Sequence, residues 1–155
     1  PAKFPLYLTR LNILHLEDLL MAVVEVKARA DQGYRQEITS SAHSFASDAT
    51  KEFGGGDSAP NPHELLLGSL GACTAITMQM YAKRKGWDLT AVNVKCEEKQ
   101  VENEGKKSSL ITRHIDIEGN LTAEQIDGLR VIADKCPIHK LLEGPKQIQT
   151  EIAHK

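Results

Sequence analysis

Two cysteines occupy positions where thiol chemistry is possible. Cys73 lies in a run that opens Asn61-Pro62-His63-Glu64-Leu65 and continues to Gly71-Ala72-Cys73-Thr74; Cys136 opens Cys136-Pro137-Ile138-His139. Two such thiols, brought together, make a redox couple in which one sulfur attacks an oxidant and the other closes a disulfide on it. The simplest reading of that pair is a thiol-dependent peroxidase. The thiolate is the nucleophile, so each position is judged by what would hold a negative sulfur. Pro137 belongs at a first helical position, which makes Cys136 the N-cap of a short turn whose free N–H groups favour a thiolate. That suits a resolving cysteine. Cys73 falls twelve residues past Asn61, too deep in its helix for the dipole to help. Its ionisation needs an Arg, Lys or His from elsewhere in the chain. Taken singly it reads as a small buried filler, and Cys136 is what shifts the balance. Cys96, between Lys95 and Glu97 with Val92 and Val94 on its own face, reads as a core or half-buried strand residue without a redox role.

The elements that must position these thiols are legible in the pattern. Residues 21–50 are strand-like, with Gly33 and the Ser40-Ser41 pair as turn points, and Phe53 to Pro60 is a loop rich in Gly, Asp, Ser and Pro. Asn61 reads as an N-cap and Pro62 as the first residue of a helix running to about Lys85, where Gly86 suits the position after the cap. Its leucines, Ile76, Met78 and Met80 surround the helix, which predicts burial in the core or against a partner chain. The small residues between Gly68 and Ala75 let another backbone approach closely. Strands are predicted over Thr90–Glu102 and Ser108–Glu118, joined by a turn from Asn103 to Lys107. Thr122 and Gln125 form a capping box opening a helix that ends near Lys135. A short turn from Cys136 and a final strand over Gln147–Ile152 complete an α+β order.

Residues 1–20 stand apart from a single domain over residues 21–155. Leu11, Leu14, Leu16, Leu19 and Leu20 predict a short helix docking on the body, either a remnant of the expression vector or a genuine extension. With 155 residues the chain is long enough to bury a core without staples. A formal net charge of -2 argues against nucleic acid or a polybasic membrane contact as partner, since both need a positive excess. The uncharged run Leu65 to Met80 falls short of the roughly 20 apolar residues of a membrane span. Three cysteines do not make a disulfide scaffold, and no secretory signal is visible, so the cytoplasm is the expected compartment.

The Asn-Pro helix opening with its cysteine eleven residues past Pro62, paired with the later Cys-Pro-Ile-His, resembles the OsmC/Ohr family of osmotically inducible and organic hydroperoxide resistance proteins. The likeness covers about residues 21–152 and points to a divergent branch. The resemblance implies antiparallel sheets wrapped around long central helices in an intertwined homodimer, with two sites at the subunit interface and no cofactor. It implies reduction of organic hydroperoxides, with Cys73 peroxidatic, Cys136 resolving and a small or protein-bound dithiol, such as a dihydrolipoyl group, as reductant. Arg35, in Gly33-Tyr34-Arg35, stands at the family's catalytic arginine and would supply the cation Cys73 needs. Its partner carboxylate follows the Asn-Pro directly in the best-known members; here that place holds His63, with Glu64 next. The partner of Arg35 is then His63, Glu64 from the other chain, or neither, and Glu64 also suits a plain helix-start role. This departure sustains an alternative of another class: a non-catalytic relative that binds a small apolar ligand or senses redox state.

Other signals carry less. Gly54-Gly55-Gly56 lacks the Gly-Lys-Ser/Thr of a phosphate loop and reads as a flexible rim. Cys136 and His139 have a metal-like spacing but no second clustered pair, so no metal is assigned. His114 reads as surface-facing, and Trp87 as a helix-end anchor.

Overall fold

The computed structural model describes residues 22–154, so the leucine-rich helix expected before Met21 lies outside the described residues. The chain divides into two compact units, Pro1–Pro62 and His63–Lys155.

In the first unit, β1 (Val24–Ala28), β2 (Gln36–Ser40) and β3 (His43–Ser47) form an antiparallel sheet in that order. Ile38 stands opposite Val26 on one side and Phe45 on the other, and it is the strand residue whose hydrophobic side chain is buried. The turn points foreseen at Gly33 and after Ser40 fall between the strands. A short 3-10 turn, Lys51–Phe53, leads into the glycine loop. This loop folds back on the end of β3: the Asp48 amide and the Ser47 hydroxyl both donate to the Pro60 carbonyl, at 3.3 and 2.9 Å. A Cβ at Gly55 would collide with the Ala49 carbonyl, so close backbone approach accounts for this glycine and no phosphate is required.

The second unit begins with α1 (Pro62–Lys85). At its end the Gly86 amide reaches the Lys83 carbonyl and the Trp87 amide the Ala82 carbonyl, the two bonds of a Schellman closure. β4 (Asp88–Asn103) and β5 (Lys106–Asn120) follow as one long hairpin. Glu104 and Gly105 both have positive φ, 51° and 75°, which matches the twist of a two-residue hairpin turn. Thr122 caps α2 (Ala123–Ala133) with the reciprocal Thr122–Gln125 box, and Cys136 caps α3 (Pro137–Glu143). The core joins Met78 and Ala82 of α1 to Leu129 and Ala133 of α2, with Leu89, Val92, Ile115 and Ile117 of the hairpin packed against them. Trp87 lies edge-on to Tyr81, centroids 5.3 Å apart, and its ring covers Gly128 of α2.

Within the chain α1 buries Leu70, Gly71, Thr74, Met78 and Ala82, a stripe at helical spacing, while Ile76 and Met80, 54% and 67% exposed, stay on the side that the expectation gives to a partner chain. By length and apolarity α1 could cross a membrane, but its stripe is spent on α2 and the hairpin. The strand expected over Gln147–Ile152 is not formed: the segment is irregular, with Ile148 and Ile152 each 92% exposed. Alternation alone does not make a strand without an edge to pair with.

Leu129 is fully buried at the centre of this core. Leu129→Ala is expected to cost about 2–5 kcal/mol through lost transfer energy and the cavity left behind, read as a lower urea midpoint with unchanged slope.

Candidate functional site

The second unit brings Cys73 and Cys136 together. Leu70, Thr74 and Met78 line the buried stripe of α1, and Cys73, one step around the helix, is half-buried beside it. Cys136 is 0% exposed and has the extended backbone of an N-cap, φ -58° and ψ 134°; its sulfur accepts the His139 amide at 3.3 Å. Thr74, the residue after Cys73, places its hydroxyl 3.8 Å from the same sulfur. The two thiols are close enough to shift each other's ionisation, and both are reduced.

Their environments separate the two sulfurs. Burial pushes the Cys73 thiol up, and the Ile138 amide lowers it only in part, while the adjacent Cys136 raises it further. Burial also pushes on Cys136, but there the His139 amide, the Cys73 thiol, the Thr74 hydroxyl and the Ile138 amide together outweigh it, and the net shift is downward. A donor that serves a negative sulfur favours ionisation, and Cys136 collects more of them. Cys136 is therefore the sulfur of the pair that gives up its proton first. Sequence reasoning found its N-cap position; it could not find the donors that α1 adds.

Arg113 is the residue that sequence reasoning passed over. Its side chain is 12% exposed, and one guanidinium nitrogen donates to both the Thr74 hydroxyl and the Ala133 carbonyl, each at 3.0 Å. The other meets Asp134 Oδ1 at 2.7 Å. A signal was present: Ile111, Arg113, Ile115 and Ile117 alternate along β5 on one face, so the arginine interrupts an apolar row. His114 next to it is exposed, as expected. Cys96 stands opposite Arg113 in the ladder, half-buried, its thiol raised by burial against the lowering effect of Arg113. A Cβ at Gly71 would lie 3.6 Å from the Cys96 sulfur, an ordinary van der Waals contact, and one at Gly68 would meet nothing among the described residues, so β4 does not by itself require the glycines of α1.

His63 and Glu64 open α1. The His63 ring is 2.7 Å from Glu98 Oε2, and the same carboxylate accepts the Ser109 hydroxyl at 2.7 Å; Ser109 first, then His63, holds Glu98 below the usual carboxylate range. Glu98 was not singled out from sequence, since nothing local links it to His63. Glu64 is exposed in the first helical turn. Arg35 belongs to the first unit, where its guanidinium meets Glu37 at 3.0 Å and the Ser58 hydroxyl at 2.9 Å. Ser58 in turn donates through its hydroxyl and amide to the buried Asp48, whose carboxyl is held low by those bonds. A chain of three polar groups thus sets the position of Arg35.

A groove of about 730 Å³ in the second unit is lined by Leu70, Ile111, Arg113, Asp134 and His139 among others, but by neither Cys73 nor Cys136. His139 is engaged by Glu143 at 2.9 Å. Among the described residues no group of three or more His, Cys, Asp or Glu side chains could hold a metal ion.

The profile of the family described as OsmC-like protein matches residues 54–151. An OsmC-like protein from Mycoplasma pneumoniae has a similar structure, with TM-score 0.66 and 19% identity over 79% of this chain and 87% of that one. An organic hydroperoxide resistance protein OsmC from Legionella pneumophila gives 0.62 and 19% over 81% and 91%. The organic hydroperoxide resistance protein OhrB of Bacillus subtilis gives 0.55 and 19% over 79% and 90%. At these identities the likeness is one of fold. No curated protein matches the chain.

The order of ionisation can be read directly. With Cys96 replaced by Ser, ultraviolet thiolate absorbance is expected to rise first from Cys136. Cys73→Ser should keep the early phase, and Cys136→Ser should remove it and leave a single rise above the ordinary thiol range of about 8.5. The sign follows from the shifts: a lowered Cys136 titrates below that value and a raised Cys73 above it.

Proposed function

The chain belongs to the OsmC-like protein family, and from that premise we propose that it is a cysteine-based peroxidase acting on organic hydroperoxides. One observation carries the reading: Thr74, the residue after Cys73, reaches the Cys136 sulfur at 3.8 Å, and the two thiols are close enough to shift each other's ionisation. Cys73 is the half-buried member of the pair and the one a substrate can reach; Cys136 is enclosed. Division of labour follows from access.

In the proposed cycle the Cys73 sulfur attacks the outer peroxide oxygen, the O–O bond breaks, and the thiol proton leaves with the alcohol. Cys73 is then a sulfenic acid. The Cys136 thiolate attacks that sulfur, an S–S bond forms, and hydroxide leaves as water after taking up a proton. A dithiol reduces the disulfide by exchange and is itself oxidised to a disulfide. In this reading Arg35 supports the reacting Cys73 as its cation, a role carried by the family resemblance. The carboxylate of Arg35 within the first unit is Glu37, and its partner at the helix opening is His63, Glu64 from the other chain, or neither. Glu64 and His63 both stand there, and His63 brings Glu98 with it.

A homodimer is part of the same reading. Ile76 and Met80 of α1, with Val24 and Val26 of β1, leave more large apolar side chains in water than a monomer of this size comfortably carries. A second copy would cover them. The reading places the enzyme in the cytoplasm, where a reducing thiol pool suits three free cysteines and a transient disulfide.

Purified protein mixed with cumene hydroperoxide and dihydrolipoamide is expected to consume the peroxide over many turnovers. Cys73→Ser should abolish this, and Cys136→Ser should allow one turnover and leave a sulfenic acid that dimedone traps. Activity persisting in Cys73→Ser ends the proposal. Sedimentation should show a species of two chains that Ile76→Glu shifts toward one.

A further inference from the structure

We propose that Arg113 is a positioning residue for the thiol pair, holding the Thr74 hydroxyl against the Cys136 sulfur and pinning the end of α2 that delivers Cys136 to Cys73. For the reaction it serves, this rests on the peroxidase reading; for the geometry, it does not.

The argument starts from location. A guanidinium with a side chain 12% exposed, in an apolar row between Ile111 and Ile115, carries a desolvation cost that an aliphatic residue would avoid. Its bonds therefore need a reason. They go to two places only among the described residues. One is Thr74, the neighbour of Cys73 on α1. The other is the Ala133–Asp134 end of α2, which precedes Cys136 by two to three residues. At that end the Ala133 carbonyl has no helical partner, and a cation also complements the negative pole of the helix. One side chain thus ties together the two segments that carry the reacting sulfurs.

The Thr74 hydroxyl gives this tie a chemical consequence. A hydroxyl has one hydrogen to donate and lone pairs to accept. Arg113 donates to it at 3.0 Å, which commits a lone pair and leaves the hydrogen for an acceptor. Two acceptors are in reach: the Leu70 carbonyl at 2.8 Å and the Cys136 sulfur at 3.8 Å. With a neutral sulfur the carbonyl is the better partner; with a thiolate, the sulfur competes for the hydrogen as a charged acceptor. Arg113 polarises this hydroxyl and keeps it in place for the second arrangement. Around Cys136 stand Cys73 and Thr74 from α1, Cys96 from β4 and the His139 amide of α3, whose ring pairs with Glu143; behind Thr74 come Arg113 from β5 and its partner Asp134 at the end of α2. Of these Arg113 is the fixed cation on the buried side.

In the cycle the step affected is condensation: the Cys136 thiolate attacks the Cys73 sulfenic sulfur, the S–S bond forms, the S–O bond breaks, and hydroxide takes up a proton to leave as water. Arg113 touches neither peroxide nor the reacting sulfurs, so its effect falls on the second thiol and not on the first attack.

The test titrates Cys136 by ultraviolet thiolate absorbance in full-length Cys73→Ser, Cys96→Ser protein, with no peroxide present. Arg113→Ala and Thr74→Val should each move the midpoint to higher pH, and Arg113→Lys should recover part of the shift. In protein with all three cysteines, stopped-flow after one equivalent of peroxide should show disulfide closure slowed by about tenfold in Arg113→Ala, the scale of one lost hydrogen bond to a charged group. Sulfenic acid formation should keep its rate. Thr74→Val carries the test if Arg113→Ala does not fold, since it removes a hydroxyl and keeps the volume. An unmoved midpoint in folded Thr74→Val and Arg113→Ala overturns the proposal. A moved midpoint in protein that turns over no peroxide keeps it and removes the peroxidase reading instead.

Discussion

The approach of Cys73 and Cys136, two thiols from distant parts of the chain, is the constraint on which the rest of the second unit depends. Cys73 is fixed by a long helix, and Cys136 by the start of a short one, so the approach exists only if α1 and the α2–α3 junction are locked together. That lock is the packing of Met78 and Ala82 on Leu129 and Ala133, backed by the hairpin. The site sits at the edge of the same packing, where Ala133 ends the core and Cys136 follows three residues later. Stability and chemistry share their residues here.

The asymmetry of the pair follows from this arrangement. Both thiols pay for burial, but only one receives the donors that offset it. Cys136 sits where an amide of α3 and a hydroxyl of α1 converge, whereas the middle of α1 has its backbone amides already committed to the helix. A mid-helix sulfur must look to other elements for help. This explains why a protein with this fold recruits side chains from several elements to one thiol pair. It also explains why an arginine is tolerated in an otherwise apolar strand face.

The first unit illustrates how a cation is held in place. Arg35 is not held by one strong partner but by a relay that ends in buried Asp48, itself bonded by the Ser58 amide and hydroxyl. The glycine loop that supplies Ser58 is fastened to the end of β3 by Pro60 and by the close pass over Ala49. A loop that composition alone would describe as flexible is therefore a bracket.

Much of this was fixed by local rules. The bounds of α1, the Thr122 capping box, the hairpin and the N-cap at Cys136 each depend on residues within a turn of one another, and such signals are legible in sequence because the physics is local. What only the tertiary structure decided was non-local. Whether Gln147–Ile152 pairs as a strand depends on an edge that the segment does not itself contain. The partner of His63 is Glu98, thirty-five residues away and on a different element. The sulfur that ionises first takes its largest lowering from the His139 amide of its own turn, but the Cys73 thiol and the Thr74 hydroxyl, sixty-two residues before it, add to this only when α1 and α3 meet. Arg113 interrupted an apolar row in plain sight, but the value of a buried charge depends on what it bonds to. The reason is the same in every case: a residue's type limits what it can do, and its neighbours in space select which of those things it does.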